Sequence, residues 1–321
     1  MPTVLITGGH AGIGLQCAIR LATHHRSDLI LAGRSVERME PAAQQLRAYG
    51  VKVSTVVLDT SSLASVRSAA AAIGQLIESE AIGGLDAIVC NAGASFAGPV
   101  GYSVDGYERT FTTNYLGHFL LTELLFDQLR DTGRIVMVAS GTHDPDTMDG
   151  RMVGPAVEPD AVALANVGRN GSKPLSGGKL YATSKLCMIL MAYEMDRRLR
   201  RAGSSIASIA FDPGAIPETG LTRTMPGPIQ SLTRSAPVKW FLTRIGITAG
   251  SLEFSGNALA DVAIGPEYAD DSGKYLQSNN KRLQATRSSR MSYDERRAAK
   301  LWEESKRLVK LQPEEEPEPL R

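Results

Sequence analysis

Short runs of Val, Ile and Leu alternate along the chain with longer stretches whose apolar residues recur every three or four positions. The runs cover residues 4–7, 29–32, 51–58, 85–90, 135–139, 205–211 and 274–276. Most place apolar side chains at successive positions, not at every second one. A strand carries that pattern when helices cover both of its faces. The longer stretches, among them 14–25, 36–49, 63–77 and 179–200, predict helices. The β-α-β alternation predicts a Rossmann-type α/β fold, a doubly wound parallel sheet of about seven strands with helices on both faces. A single nucleotide-binding catalytic domain over residues 1–311 is expected.

Three segments break the rhythm. Residues 141–178 and 214–246 read as irregular, with Gly and Pro scattered through them. Both follow strands at their carboxyl ends, where open α/β sheets bind ligands. Residues 312–321 are rich in Pro and Glu and are expected to be a disordered tail. Before that tail, Ser292 and Glu295 form an S-x-x-E capping box that predicts a helix to about Leu311.

Composition narrows the function classes. Of 321 residues, 43% are hydrophobic and 21% charged, as in an ordinary globular protein. The 35 basic and 34 acidic residues leave a net charge of +1, which gives no long-range pull toward nucleic acid or anionic membrane. The cysteines Cys17, Cys90 and Cys187 are too scattered for a metal or disulfide framework, and a reducing, cytoplasmic setting is expected. No apolar run has membrane-spanning length, and a strand at Val4 leaves no room for a leader. The expected partner is a small-molecule substrate. Whether the chain is a monomer or a homo-oligomer stays open, and no metal is expected.

Chemistry enters with the first turn. Thr7-Gly8-Gly9-His10-Ala11-Gly12-Ile13-Gly14 lies between the first strand and the first helix. Glycines there allow a tight turn and the approach of a pyrophosphate to a helix N-terminus. The second strand ends Gly33-Arg34-Ser35, with no carboxylate for a ribose 2′-hydroxyl. A guanidinium and a hydroxyl suit a 2′-phosphate, so NADP(H) is the expected cofactor, unless Arg34 simply projects into solvent.

Tyr181 and Lys185 form Y-x-x-x-K, and positions i and i+4 share a helix face. Carbonyl reduction needs a hydride and a proton, and a phenol near pKa 10 is a poor acid or base at neutral pH. A neighbouring ammonium is expected to lower the phenol toward working range while also binding the nicotinamide ribose. Ser140, at the end of the fifth strand, is placed to donate to the substrate oxygen.

The glycine spacing G-x-x-x-G-x-G, Asn91-Ala92-Gly93, Asn114, Ser140, Tyr181, Lys185 and Asp212-Pro213-Gly214 follow one another in the right context. Over nearly the whole chain this set resembles the short-chain dehydrogenase/reductase family. The resemblance implies that Asn114 holds a water linking Lys185 to solvent. It also implies cofactor contacts at Asp59 and Thr60, Asn91 to Gly93, Tyr181, Pro213, Gly214 and Thr219, though Asp59 serves equally as a helix cap. Thr113 to Leu121, Tyr181 to Cys187, Pro213 to Leu221 and Leu301 to Val309 look like protochlorophyllide reductases and their retinol-dehydrogenase-like relatives. Departures, such as Asn91-Ala92-Gly93 where pigment enzymes have Asn-Ala-Ala, imply a different substrate. The expected activity is reduction of a bulky, mainly apolar ketone or the reverse alcohol oxidation. The apolar residues of the two irregular segments, Met148, Met152, Val153, Val157, Val162, Leu164 and, further on, Leu221 and Met225, are expected to wall the pocket. Reduction of a C=C bond and a non-catalytic NADPH-sensing role are the alternatives.

Overall fold

The computed structural model describes residues 1–79, 81–216, 248 and 250–321. In β1 (Thr3–Thr7) Leu5 faces one helical layer, Val4 and Ile6 face the other, and all three are fully buried. Ile30 and its neighbours Leu29 and Leu31 divide in the same way in β2 (Asp28–Gly33). So do Ile88 against Val89 in β4 (Leu85–Cys90), and Met137 against Val136 and Val138 in β5 (Leu129–Val138). Side chains alternate across a sheet, so a strand covered twice must be apolar at every position. Burying one such side chain is worth about 1.5–3 kcal/mol.

With β3 (Val53–Val57), β6 (Ala207–Asp212), β7 (Tyr275–Asn279) and β8 (Arg282–Ala285), the strand order is β3-β2-β1-β4-β5-β6-β7-β8. All neighbours are parallel except β7 and β8. The order reverses between β1 and β4, which opens a crevice at the strands' carboxyl ends. Helices α1 (Gly12–Thr23) and α2 (Val36–Arg47) cover one face. On the other lie α3 (Leu63–Glu78), the short α4 (Arg109–Phe111), a π-helical turn (Thr112–Leu116) and α5 (Gly117–Leu125). Gly117 is obligatory at that crossing, because a Cβ there would lie 2.1 Å from the Thr60 carbonyl oxygen.

The segment at 141–178 is more regular than its sequence implies. It holds a 3-10 turn (Gly141–His143), α6 (Met148–Val153) and α7 (Ala161–Ala165). Thr147 and Asp160 cap the two helices. Elements this short cannot display a helical repeat. The long α8 (Gly177–Arg201) follows, and α9 (Leu252–Ile264) joins the α1 side. The extra strand β8 escapes a sequence reading because it is polar and mostly exposed. It turns back through Asn280 and Lys281, both at positive φ, a two-residue hairpin turn.

The C-terminus corrects two expectations. Helix α10 (Glu295–Leu308) is capped by Asp294, whose side chain accepts from the Arg297 N–H. Ser292 instead turns inward, donating to the Ser289 carbonyl. The tail at 312–321 is not disordered in this structure. Leu320 is fully buried, and its carbonyl accepts from the buried Arg198 guanidinium at 2.7 Å. Glu315 pairs with Arg67 and Glu316 with Lys306. Composition weighs the Pro and Glu residues, but one apolar anchor and three basic partners outweigh them. Deleting residues 312–321 should therefore lower stability by about 3–6 kcal/mol, from Leu burial and a lost charge-assisted hydrogen bond. Thermal melting of the truncated and full chains checks this, and an unchanged midpoint would show that the tail contributes nothing. No described helix is long and apolar enough to cross a membrane.

Candidate active site

The expected cofactor loop folds as a cradle at the end of β1. Gly8 and Gly12 have φ of +67° and +56°, conformations that L side chains rarely adopt. A Cβ on Gly14 would stand 2.6 Å from the Gly8 carbonyl oxygen and 2.7 Å from Asn91 Nδ2, so the helix start and loop are in contact. Gly9 packs against Leu31 and Ile6, and Ile13 against the α1-side core. Helix α1 begins at Gly12, which directs its N-terminus into the crevice.

Thr7 and Asn91 serve the scaffold. The Thr7 hydroxyl accepts from the Asn91 and Ala92 N–H groups at 2.9 and 2.8 Å, and Asn91 Nδ2 donates to the Thr7 carbonyl. These bonds stitch the ends of β1 and β4 together. Asp59 accepts from the Ser61 N–H and hydroxyl, while Ser62 caps α3. Asp59 is thus a turn former and not the helix cap. Thr60 is buried. Pro213 accepts from Ser255 through its carbonyl, and Gly214 takes a φ of +73°. Thr219, Leu221 and Met225 lie outside the described residues.

At the end of β2, Arg34 is exposed and its side chain has no hydrogen-bond or ion-pair partner among the described residues. Ser35 is otherwise engaged: its hydroxyl caps α2 through the Arg38 N–H and donates to Glu37. The second cation is Arg38, one turn into α2, which the sequence reading missed. Arg34 and Arg38 both depress the pKa of His10, after burial as the main cause, so the three stand together. His10 Nδ1 is buried without a partner. An R-x-x-x-R spacing across the α2 cap was the available signal.

The proton-handling residues converge one strand further on. Ser140 follows β5 and opens the 3-10 turn, its hydroxyl accepting from Thr142. On α8 burial pushes the Tyr181 phenol up to about 12, and the nearby Ser140 hydroxyl acts against that rise. Lys185 Nζ donates to the Val138 carbonyl at 2.7 Å and sits 5.8 Å from the Tyr181 ring centroid. Burial brings its pKa down to about 8. The phenol thus lies above its ordinary value and not below it as expected, with Ser140 the group that opposes the rise, and Tyr181 stands as a neutral donor.

Asn114 lies in the π-helical turn, a backbone form frequent at functional sites. Its amide is held by both backbone groups of Ala94 and by Ser184, which in turn donates to the Tyr181 carbonyl. A Cβ on Gly93 would stand 3.3 Å from Lys185 Nζ and 3.4 Å from Asn114 Oδ1, so the three adjoin. His118 bridges the Asn114 carbonyl and Thr7, and burial brings it down to about 4, hence neutral. Cys187 is fully buried in the α8-side core and burial raises its thiol, as for a packing residue. Leu164 and Val157 also pack into or against that core, whereas Met152 and Val162 are exposed. The expected pocket wall is correspondingly thinner on this side.

Residues 2–147 match the family model described as short chain dehydrogenase. Human retinol dehydrogenase 13 is 33% identical over 315 residues, which is 97% of this chain and 85% of that protein. The chain belongs to the short-chain dehydrogenase/reductase family. Within this family of oxidoreductases it falls in the branch of the retinol dehydrogenases and protochlorophyllide reductases. The chloroplastic protochlorophyllide reductase of Chlamydomonas reinhardtii is 32% identical, covering 96% of this chain and 78% of that one. Among solved structures, a protein of Mycobacterium paratuberculosis superposes with a TM-score of 0.66 at 26% identity, covering 97% and 94% of the two chains. A blue fluorescent protein from a metagenomic library, solved in complex with NADPH, gives 0.63 at 25% identity over 87% of this chain and 97% of that one.

Proposed function

We propose that this dehydrogenase/reductase is an NADPH-dependent carbonyl reductase for a bulky, mainly apolar ketone. The observation that carries the reading is the convergence of Ser140, Tyr181 and Lys185 at the end of β5, with the phenol kept protonated, as a reductase needs. Support for NADPH comes from Arg34 and Arg38 around the His10 nitrogen, all three without a partner among the described residues, a cationic cradle that fits a 2′-phosphate. The NADPH complex of the metagenomic relative agrees with it. The glycine loop and the α1 N-terminus would hold the pyrophosphate, and Lys185 the nicotinamide ribose. NADPH supplies the hydride when bound.

The chain's own residues do the rest. Ser140 orients the substrate carbonyl oxygen, and Tyr181 donates its proton to that oxygen as negative charge develops there. Lys185 carries positive charge beside them. The three cysteines are free and buried, which fits a reducing, cytoplasmic setting.

A screen of ketones and aldehydes that follows NADPH absorbance tests the activity and should favour large apolar carbonyls. Leu221→Ala and Met225→Ala should change KM and substrate ranking while NADPH affinity holds. Turnover should be level below about pH 8 and fall above it. Lys185 has a lowered pKa, so its charge is present on the acid side and lost on the alkaline side. Tyr181 keeps its proton through this range. Best substrates that are small and charged, or reduction confined to C=C bonds, would reject the reading.

A further inference from the structure

Asp212 closes β6 with its side chain fully buried. Three donors fix its carboxylate. The Gly214 N–H reaches Oδ1 at 2.9 Å, while the Tyr275 hydroxyl and Gln277 Nε2 reach Oδ2 at 2.7 and 2.8 Å. The carboxylate stands under the Ser140 turn, since a Cβ on Gly141 would lie 3.3 Å from Oδ2. On the neighbouring strand the Val138 carbonyl holds the Lys185 ammonium, and Val138 pairs in register with Phe211. Lys185 is buried and makes no direct salt bridge among the described residues. An ammonium in such a place needs compensating charge.

We propose that Asp212 is the counter-ion of Lys185, a rigidly held carboxylate one strand away that keeps the buried ammonium charged. The proposal rests on reading Lys185 as the cation of the cofactor and phenol site. It makes Asp212 a positioning residue, acting through Lys185 without touching substrate.

The electrostatics of the surrounding groups agree. Asp212 is the largest influence raising Lys185 against burial, with Cys90 second. It also raises Tyr181, helping to keep the phenol protonated. The other titratable groups facing this region are less suited to the part. Burial holds the Cys90 thiol protonated and the His118 and His143 imidazoles neutral. His143 is tied to the Ser140 carbonyl and the Ser289 N–H. Asp149 has its pKa raised by burial and turns its carboxyl toward Thr248. Tyr275 is neutral and donates to Asp212 itself.

Asp212→Asn keeps the shape and removes the charge. NADPH affinity and turnover should be followed from pH 6 to 10 in this variant, in Tyr275→Phe and in Lys185→Ala. The alkaline limb of Asp212→Asn should move about one pH unit toward acid, the size expected from losing a nearby opposite charge. At pH 6 its NADPH affinity should match the wild type. Tyr275→Phe retains the carboxylate and should keep the wild-type limb. If Lys185→Ala binds NADPH normally, the underlying site reading fails. If Lys185→Ala loses affinity while Asp212→Asn keeps the wild-type limb, the counter-ion role fails. Should Asp212→Asn not fold, 13C NMR of aspartate-labelled wild type decides, because a protonated Asp212 at pH 7 overturns the proposal.

Discussion

Tyr181→Phe is expected to cut turnover by about 10²–10⁴-fold, the usual contribution of a positioned acid. The ring is buried, and only the hydroxyl is removed, so α8 should pack as before. NADPH affinity should change little, because the glycine loop, Arg34 and Arg38 are untouched. Calorimetry and steady-state rates on the same preparation separate the two effects. Near-normal turnover would mean that another group supplies the proton.

The second large effect concerns the two guanidiniums beside His10. Arg34→Ala with Arg38→Ala should weaken NADPH binding by about 10²–10⁴-fold, taking roughly 1.5–3 kcal/mol for each charge-assisted bond and tenfold per 1.4 kcal/mol. NADH lacks the 2′-phosphate and should bind the double variant about as well as the wild type. Both side chains are exposed and without a hydrogen-bond or ion-pair partner among the described residues, so their loss should leave the fold intact. Equal loss for both dinucleotides, or for neither, would remove Arg34 and Arg38 from the phosphate site.

Much of this architecture was legible in the sequence because its signals are local. A strand buried on both sides must be apolar throughout, so β1, β2 and β4 stood out within a residue of their bounds. The spacing of Tyr181 and Lys185 put both on one face of α8, and the glycines of the first turn marked the crevice. What escaped was set by distant partners. Ser35 offers the same hydroxyl to a phosphate or to a helix end, and only the fold shows that α2 takes it. The Lys185 influence on Tyr181 depends on how deeply both are buried, which spacing does not encode. Asp212 entered only as the start of Asp212-Pro213-Gly214, because its three donors lie two and more than sixty positions away. The tail was misjudged for the same reason: its anchor on Arg198 is 122 residues distant.

That anchoring also orders events during synthesis. Glu315 meets Arg67 across 248 positions of chain, and Leu320 reaches back to the buried Arg198. Until residues 312–321 leave the ribosome, the Arg198 guanidinium lacks its Leu320 acceptor, and the surface over α8 and α10 stays open to chaperones or to a second nascent chain. The glycine loop, Ser140, Tyr181 and Lys185 all precede that segment, so the catalytic residues are synthesised before the outer helical layer can be latched.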